Sequence, residues 1–327
     1  MKYVYAFEEG GKEQKYLLGG KGANLAEMTN LGLPVPPGFT ISTDACKAYM
    51  AAGDELPAGL MDEVAAARTQ LEQKMGKTLG DATDPLLVSV RSGAPFSMPG
   101  MMDTVLNLGL NDESVKGLAK QTQNERFAYD SYRRFVQMFG KIVLDIKGEL
   151  FEEALHDLVE SKGLDVDTEL AAEDLAGLVE TFKKIVRTEA GVDFPTDPQE
   201  QLGYAIKAVF KSWNGRRARD YRKMEGIPDD LGTAVNVQTM VFGNKGDDSG
   251  TGVAFTRNPS TGENKPYGDF LTNAQGEDVV AGIRITEPLD AMANHFPQPH
   301  EQLIGLMHLL ENHYRDMCDI EFTIEQG

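Results

Sequence analysis

Short apolar runs alternate with helical stretches in the first part of the chain, which is also rich in Gly and Pro. This pattern is typical of a mixed α/β lobe. Strands are predicted at residues 3–7, 37–42 and 86–90, and a helix is predicted at residues 22–31. The third strand runs directly into Arg91-Ser92-Gly93, and an uncharged loop rich in Met, Pro and Gly follows it.

The pattern changes to amphipathic helix from residue 112 to about residue 224, and strand alternation returns after residue 232. The later strands are predicted at residues 233–240, 250–255, 270–274 and 318–324, with a helix at residues 299–316. We therefore predict an α+β chain. Its predicted parts are a first mixed lobe (1–111 with 197–243), a mainly helical insert (112–196) and a second mixed lobe (244–327).

The composition narrows the possible functions. Hydrophobic residues make up 41% and charged residues 25%, which is typical of a packed globular chain. The sequence has no apolar run long enough to cross a bilayer, and its first residues lack a signal-peptide core, so we predict a cytoplasmic protein without a membrane partner. The net charge of −19 argues against a nucleic-acid partner.

Two basic residues nevertheless stand where a phosphate ligand would need them. Lys21 lies among three glycines at the start of a predicted helix, where bare backbone and the helix N-terminus favour an anion. Arg91 follows an apolar strand and precedes a glycine-bearing loop, a common ligand position in α/β proteins. A glycine-rich turn with an exposed lysine, and a surface salt-bridge arginine, explain the same residues.

Two segments with few charged residues are candidates for the remaining contacts with such a ligand. The run from Ser97 to Thr104 suits a lid over a triphosphate, in which Gly100 permits close approach and Thr104 offers a hydroxyl. Methionines that fill gaps in the core are the alternative. Residues 238–243 end a strand and suit the edge of an adenine ring, although an ordinary core strand explains them as well.

The last predicted strand carries two carboxylates on one face. A period of two places Asp319, Glu321 and Thr323 on one side and apolar residues on the other. Adjacent like charges repel each other, and a bound Mg²⁺ would relieve the repulsion. A half-exposed strand with an acidic outer face is the alternative.

Longer runs extend these motifs across the chain. They are Phe127-Ala128-Tyr129-Asp130-Ser131-Tyr132-Arg133-Arg134-Phe135, Thr251-Gly252-Val253-Ala254-Phe255-Thr256-Arg257-Asn258-Pro259 and Asn273-Ala274-Gln275-Gly276-Glu277-Asp278. Together with the segments around Lys21, Arg91 and Asp319, they resemble the pyruvate, phosphate dikinase family of PEP-utilising enzymes from end to end. The loop Ala94-Pro95-Phe96-Ser97-Met98-Pro99-Gly100-Met101-Met102 favours this family over the related phosphoenolpyruvate synthases.

The resemblance implies an ATP-grasp nucleotide-binding domain, in which two lobes clamp ATP. It implies phosphate and catalytic roles for Lys21 and Arg91, and metal binding by Asp319 and Glu321 with Mg²⁺ as the cofactor. It further implies ATP contacts by Gly100, Met101, Met102, Asp103, Thr104, Gln238, Met240, Val241 and Glu277, with Met240 and Val241 at the adenine.

The family reaction, as the resemblance implies it, converts ATP, phosphate and pyruvate to AMP, pyrophosphate and phosphoenolpyruvate. A histidine on a swivelling domain attacks the β-phosphorus, and a further domain binds pyruvate. The family continues beyond Glu325-Gln326-Gly327 into a strand with a Gln-x-Arg pair, so we expect this chain to bind ATP weakly without completing the reaction. A phosphoenolpyruvate synthase-type domain and a non-catalytic nucleotide-binding module are the alternatives.

Overall fold

The computed structural model describes residues 1–280 and 284–327. The chain divides into two compact units, Met1–Met240 and Val241–Gly327. The strands are β1 (Val4–Ala6), β2 (Gly38–Ile41), β3 (Thr78–Leu79), β4 (Pro85–Leu86), β5 (Val88–Gly93), β6 (Thr104–Leu108), β7 (Ala234–Thr239), β8 (Gly250–Phe255), β9 (Tyr267–Thr272), β10 (Glu287–Pro288) and β11 (Asp319–Ile324). The α-helices are α1 (Lys15–Asn30), α2 (Thr43–Ala51), α3 (Leu60–Met75), α4 (Ser114–Thr122), α5 (Glu125–Ile142), α6 (Gly148–Ser161), α7 (Ala172–Ala190), α8 (Pro198–Ser212), α9 (Arg216–Glu225), α10 (Gly276–Val280), α11 (Met292–His295) and α12 (Pro297–Tyr314).

The first unit is built on a sheet of order β1-β2-β7-β5-β6, in which neighbouring strands are antiparallel. Its register aligns one polar row across all five strands. The row consists of Tyr5, Thr40, Asn236, Arg91 and Thr104. Val90 of β5 and Val235 and Val237 of β7 stand next to this row and are buried on the other face, because side chains alternate between the two faces of a strand.

Helix α1 covers the polar face of this sheet and packs against β2, β5 and β7. A Cβ placed on Gly22 would lie 2.8 Å from Asn236 Oδ1, so the helix crosses the row closely at this glycine. The helix is broken at Gly19, whose φ of 70° and ψ of 167° are not helical. The regular part that carries Lys21 therefore begins after this break.

Helices α4 to α7 form the helical part of the first unit, and α5 is central to it. The buried carboxylate of Asp130 accepts hydrogen bonds from Arg133 Nε at 2.8 Å and from Arg134 Nε at 3.0 Å. Arg133 is also buried and reaches Asp167 Oδ2 at 2.7 Å. The run from Phe127 to Phe135 thus holds the helices together through buried rings and a buried ion network.

The second unit is built on a sheet of order β10-β9-β8-β11, with antiparallel pairs throughout. Ile320, Phe322 and Ile324 of β11 pack into a core that includes Phe270 and residues of α12. Asp319, Glu321 and Thr323 are exposed on the other face of the strand. The alternation predicted for this strand is confirmed.

The antiparallel sheets and separate helices confirm the predicted α+β class, and β8 has the predicted limits. Other limits differ. The predicted first strand ends at Ala6, because Phe7 is buried in a 3₁₀ turn, Phe7–Glu9. The predicted helix at 22–31 begins earlier, at Lys15, and its glycines interrupt it only at Gly19. Within residues 1–280 and 284–327, every helix is too short or too polar to cross a membrane.

Candidate functional site

The glycine segment around Lys21 packs against the end of β5. The N–H of Gly20 donates to the carbonyl of Ala94 at 2.9 Å, and a Cβ on Gly93 would lie 3.6 Å from Lys21 Cβ. The break at Gly19 permits this approach, since any larger residue would overlap the Gly93 carbonyl oxygen. The N–H of Gly20, one of the backbone groups of this glycine segment, is therefore already engaged, while Lys21 is brought to the strand end.

Arg91 lies two residues before Gly93 on the same face of β5, half-buried. Its cross-strand neighbours are Thr104 on β6 and Asn236 on β7. The structure thus brings three predicted site residues, Lys21, Arg91 and Thr104, to one face of one sheet. Two are cations, and this concentrates positive charge locally in an acidic chain.

Asn236 is a polar residue of this face that the strand pattern alone does not single out. It is 1% exposed, and its Oδ1 accepts from Thr40 Oγ1 at 2.9 Å. A buried asparagine between valines is unusual, because an amide needs hydrogen-bond partners when it leaves water. The position of this asparagine between Val235 and Val237 was the signal that the sequence offered.

The loop between β5 and β6 contains the predicted lid residues. Met101 N–H donates to Met98 O at 3.1 Å, and Gly100 has φ 71°, which matches a type II turn with Pro99 and Gly100 at its centre. Met98 is buried, whereas Met101 and Met102 are half-buried. Met98 therefore fits the interpretation that methionines fill the core, whereas Met101 and Met102 fit that of a lid.

Both ends of this loop contact neighbouring helices. The ring of Phe96 meets that of Tyr16 edge to face at 6.3 Å, and Lys15 Nζ lies over both rings. At the other end, Arg217 lies 3.7 Å from Asp103. Burial raises the pKa of Asp103, and the Arg217 guanidinium opposes that rise.

The predicted adenine segment is more strongly engaged within the protein than its sequence indicates. Gln238 is buried, and its Nε2 donates to the carbonyl of Pro36 at 3.0 Å. The Met240 N–H donates to the carbonyl of Leu87 at 2.9 Å, so it is not available to an adenine edge. Met240 and Val241 keep half-buried side chains. Their contact with a base stays a prediction, as does that of Gln238.

In the second unit, Asp319 and Glu321 share their sheet face with Thr323, Thr251 and helix α10. Thr323 pairs with Thr251, and a Cβ on Gly276 of α10 would lie 4.0 Å from Thr251 Oγ1. Glu277 follows Gly276 and is half-buried. The structure therefore places the predicted Glu277 on the face that carries the two strand carboxylates.

The two strand carboxylates fit a magnesium ion that is bound together with a phosphate ligand. Partial burial raises the pKa of Asp319, and the charge of Glu321 raises it further. Within the described residues, no group of three or more His, Cys, Asp or Glu side chains is arranged to hold a metal. Mg²⁺ commonly uses one or two carboxylates and takes its other oxygens from water and substrate phosphates. The pair suits that mode of binding.

Replacing Asp319 with asparagine is expected to stabilise the metal-free protein at pH 7 by about 0.2–0.5 kcal/mol, since a partly solvated repulsion with Glu321 is removed. A raised pKa in the folded state stabilises the protein at low pH, and this contribution is lost as the pH rises through the folded pKa. The gain from Asp319→Asn should therefore vanish near pH 3, below the usual aspartate pKa of about 3.9. Urea unfolding at both pH values measures it, with the exposed Asp247→Asn as control. A loss of stability at pH 7 would contradict the expectation.

An open surface depression in the second unit lies apart from the predicted residues. Its volume is about 610 Å³, and it is lined by Arg257, Glu311, Asn312, Arg315, Asp316 and Met317. None of these is a predicted ATP or metal residue. The charges of the predicted residues, rather than this cavity, therefore define the candidate site.

The fold and these residues define an α+β protein with two cations on one sheet of its first unit and a carboxylate pair on the sheet of its second. The family described as "Pyruvate phosphate dikinase, AMP/ATP-binding domain" matches residues 15–55 and 52–290. The chain belongs to this family.

Named relatives agree with the family. Pyruvate, phosphate dikinase of Clostridium symbiosum is 56% identical over 327 residues, which cover 100% of this chain and 37% of the relative. Pyruvate, phosphate dikinase 1, chloroplastic, of Zea mays is 59% identical over 319 residues, covering 98% of this chain and 34% of the relative. The chain thus spans about a third of the length of the curated relatives it matches. The resemblance found in the sequence is confirmed.

Proposed function

We propose that this chain is the ATP- and Mg²⁺-binding portion of a pyruvate, phosphate dikinase, with an ATP-grasp fold. The observation that carries the proposal is the convergence of Lys21 and Arg91 on one face of the first sheet, beside a glycine-rich turn. A polyphosphate in an acidic protein needs such a local concentration of cations. We take ATP as this polyphosphate because the family is described as an AMP/ATP-binding domain.

In this proposal the two units supply different kinds of residue. The first unit supplies Lys21 and Arg91 to the phosphates and the loop 100–104 as a cover. The second supplies Asp319 and Glu321 as ligands of Mg²⁺, with Glu277 as a further ATP contact. The bound ion would neutralise negative charge on the phosphates, and the two cations would stabilise charge on the transferring group.

The whole-protein reaction is proposed from the relatives. It converts ATP, phosphate and pyruvate to AMP, pyrophosphate and phosphoenolpyruvate, through a histidine on a swivelling domain and a separate pyruvate-binding domain. The relatives named above are dikinases, which favours this reaction over that of a phosphoenolpyruvate synthase. The finer division of the first unit into a mixed lobe and a helical insert is part of the same proposal.

Calorimetric titration with ATP, with and without Mg²⁺, tests the proposal. Arg91→Met should weaken ATP binding about 10- to 150-fold, since a hydrogen bond to a charged group contributes about 1.5–3 kcal/mol. Adenosine, which has no phosphates, should bind the parent and the variant equally. Arg187→Met is a matched control, because Arg187 is 72% exposed and lies on α7.

Two results would refute the phosphate role. One is an equal loss of adenosine and ATP affinity in Arg91→Met, which would indicate general damage. The other is an ATP affinity that Arg91→Met leaves within twofold of the parent. A parent that binds no ATP at millimolar concentration would refute the proposed function as a whole.

A further inference from the structure

Four residues connect the start of β11 to β8 and α12, and we name them the β11 tie: Thr256, Arg257, Glu311 and Cys318. The last register pair of β8 and β11 is Phe255 with Asp319. Just beyond it, Thr256 N–H donates to Cys318 O at 3.0 Å, and Cys318 N–H donates to Thr256 Oγ1 at 3.0 Å. A side-chain hydroxyl therefore completes the pairing next to Asp319.

Arg257 extends this connection to α12. Its Nε and Nη2 both contact Glu311 Oε1, at 2.7 Å and 2.6 Å. Glu311 lies in the last turn of α12, and its carbonyl accepts from the N–H of Arg315, the left-handed residue (φ 55°) that ends the helix. The short segment 316–318 is thus held at both ends.

The Glu311 carboxylate is shared between two partners of the tie. The hydroxyl of Thr256 and then the guanidinium of Arg257 lower its pKa, and partial burial opposes them. Since the Thr256 oxygen accepts from Cys318, its own hydrogen is available to Glu311. Cys318 N–H thus donates to the Thr256 hydroxyl, and the adjacent Arg257 guanidinium pairs with the Glu311 carboxylate.

Strand β11 needs such support, because it lies at the end of the sheet order and pairs with β8 alone among the described strands. Its first residue, Asp319, is exposed and repelled by Glu321. A strand that is hydrogen-bonded to one neighbour and carries like charges on one face can lose its pairing at its first residue. The tie opposes fraying at that position.

We propose that Arg257 and Glu311 are positioning residues for the Asp319 carboxylate, and that their ion pair sets the affinity of the chain for Mg²⁺ without touching the ion. The inference rests on the proposed function, since it takes Asp319 and Glu321 as the metal ligands. Residues that orient metal ligands commonly change metal affinity about 10- to 100-fold when they are replaced.

The test compares ATP dissociation constants in EDTA and in saturating Mg²⁺, and takes their ratio as the magnesium enhancement. Arg257→Met should reduce this enhancement about tenfold and leave the dissociation constant in EDTA within twofold of the parent. Glu311→Gln, which is isosteric and milder, should have the same effect to a smaller extent. The exchanged pair Arg257→Glu with Glu311→Arg should recover part of the loss. Lys265→Met, which breaks an exposed ion pair with Asp290, is the matched control and should have no effect.

The outcomes separate this inference from the proposed function. If Asp319→Asn abolishes the enhancement while Arg257→Met and Glu311→Gln keep it, the inference is wrong and the metal role of Asp319 stands. If both tie variants weaken ATP binding equally in EDTA and in Mg²⁺, the tie is only structural and the inference is again wrong. If the parent shows no magnesium enhancement, the metal part of the proposed function and the inference fall together.

Discussion

Gly19→Ala is expected to lower the free energy of unfolding by about 2–6 kcal/mol. The φ of 70° and ψ of 167° at Gly19 lie in a region that is almost restricted to glycine, and occupying it costs another residue about 1–3 kcal/mol. The added methyl group would also overlap the backbone carbonyl of Gly93, and such overpacking costs about 1–3 kcal/mol more. Urea unfolding followed by circular dichroism measures the loss.

Gly32→Ala is the control for the backbone contribution. Gly32 has φ 77°, but a Cβ placed there has no atom within 4 Å. It should cost about 1–2 kcal/mol, the amount for left-handed backbone alone. If the two variants lose equal stability, the close contact between Gly19 and β5 does not contribute. Because α1 would have to move away from β5, Gly19→Ala should also weaken ATP binding.

Asp130→Ala is expected to destabilise the protein by about 3–5 kcal/mol, because it removes the buried carboxylate partner of the Arg133 guanidinium and leaves it with Asp167, which is more exposed. Burial raises the pKa of Asp130, but the guanidinium groups of Arg133, Arg134 and Arg126 outweigh it and hold the pKa below its usual range. The stabilisation is therefore present above the unfolded pKa and is lost as the pH falls through the folded one. Unfolding curves at pH 7 and at lower pH measure both effects.

The exposed pair of Glu113 and Lys116 is the control for this second variant. The two side chains are 69% and 60% exposed, so Glu113→Ala should cost at most about 1 kcal/mol. A loss for Asp130→Ala that is no larger than this would show that the buried network is not required for stability. The stability of the helical part would then come from the packing of the surrounding aromatic rings.

Sequence pattern predicted much of this fold because the strands are short and bounded by turn residues. The limits of β8 were predictable from its glycine-rich flanks, and the two faces of β11 followed from simple alternation. The start of α1 was not predictable, since the three glycines around Lys21 indicated a helix break over a longer segment than Gly19 alone.

The candidate site was predictable in its members and not in its arrangement. Lys21 and Arg91 could be selected from local sequence, because each combines a charge with nearby glycine. Their place on one sheet face depends on the packing of α1 against the end of β5, and packing between segments so far apart in the sequence is not written in any local pattern. The β11 tie was hidden for the same reason, since Arg257 and Glu311 lie far apart in the sequence.

The exposed carboxylates of β11 have a consequence for the behaviour of the chain in solution. Outer strands of sheets are sites where a second molecule can add a strand, and negative side chains along them discourage such growth. Among the strands that the structure describes, β11 is such an outer strand, and it carries Asp319 and Glu321. A cation that neutralises them would also remove this protection, so the acidity of β11 would guard against self-association most strongly when no ion is bound.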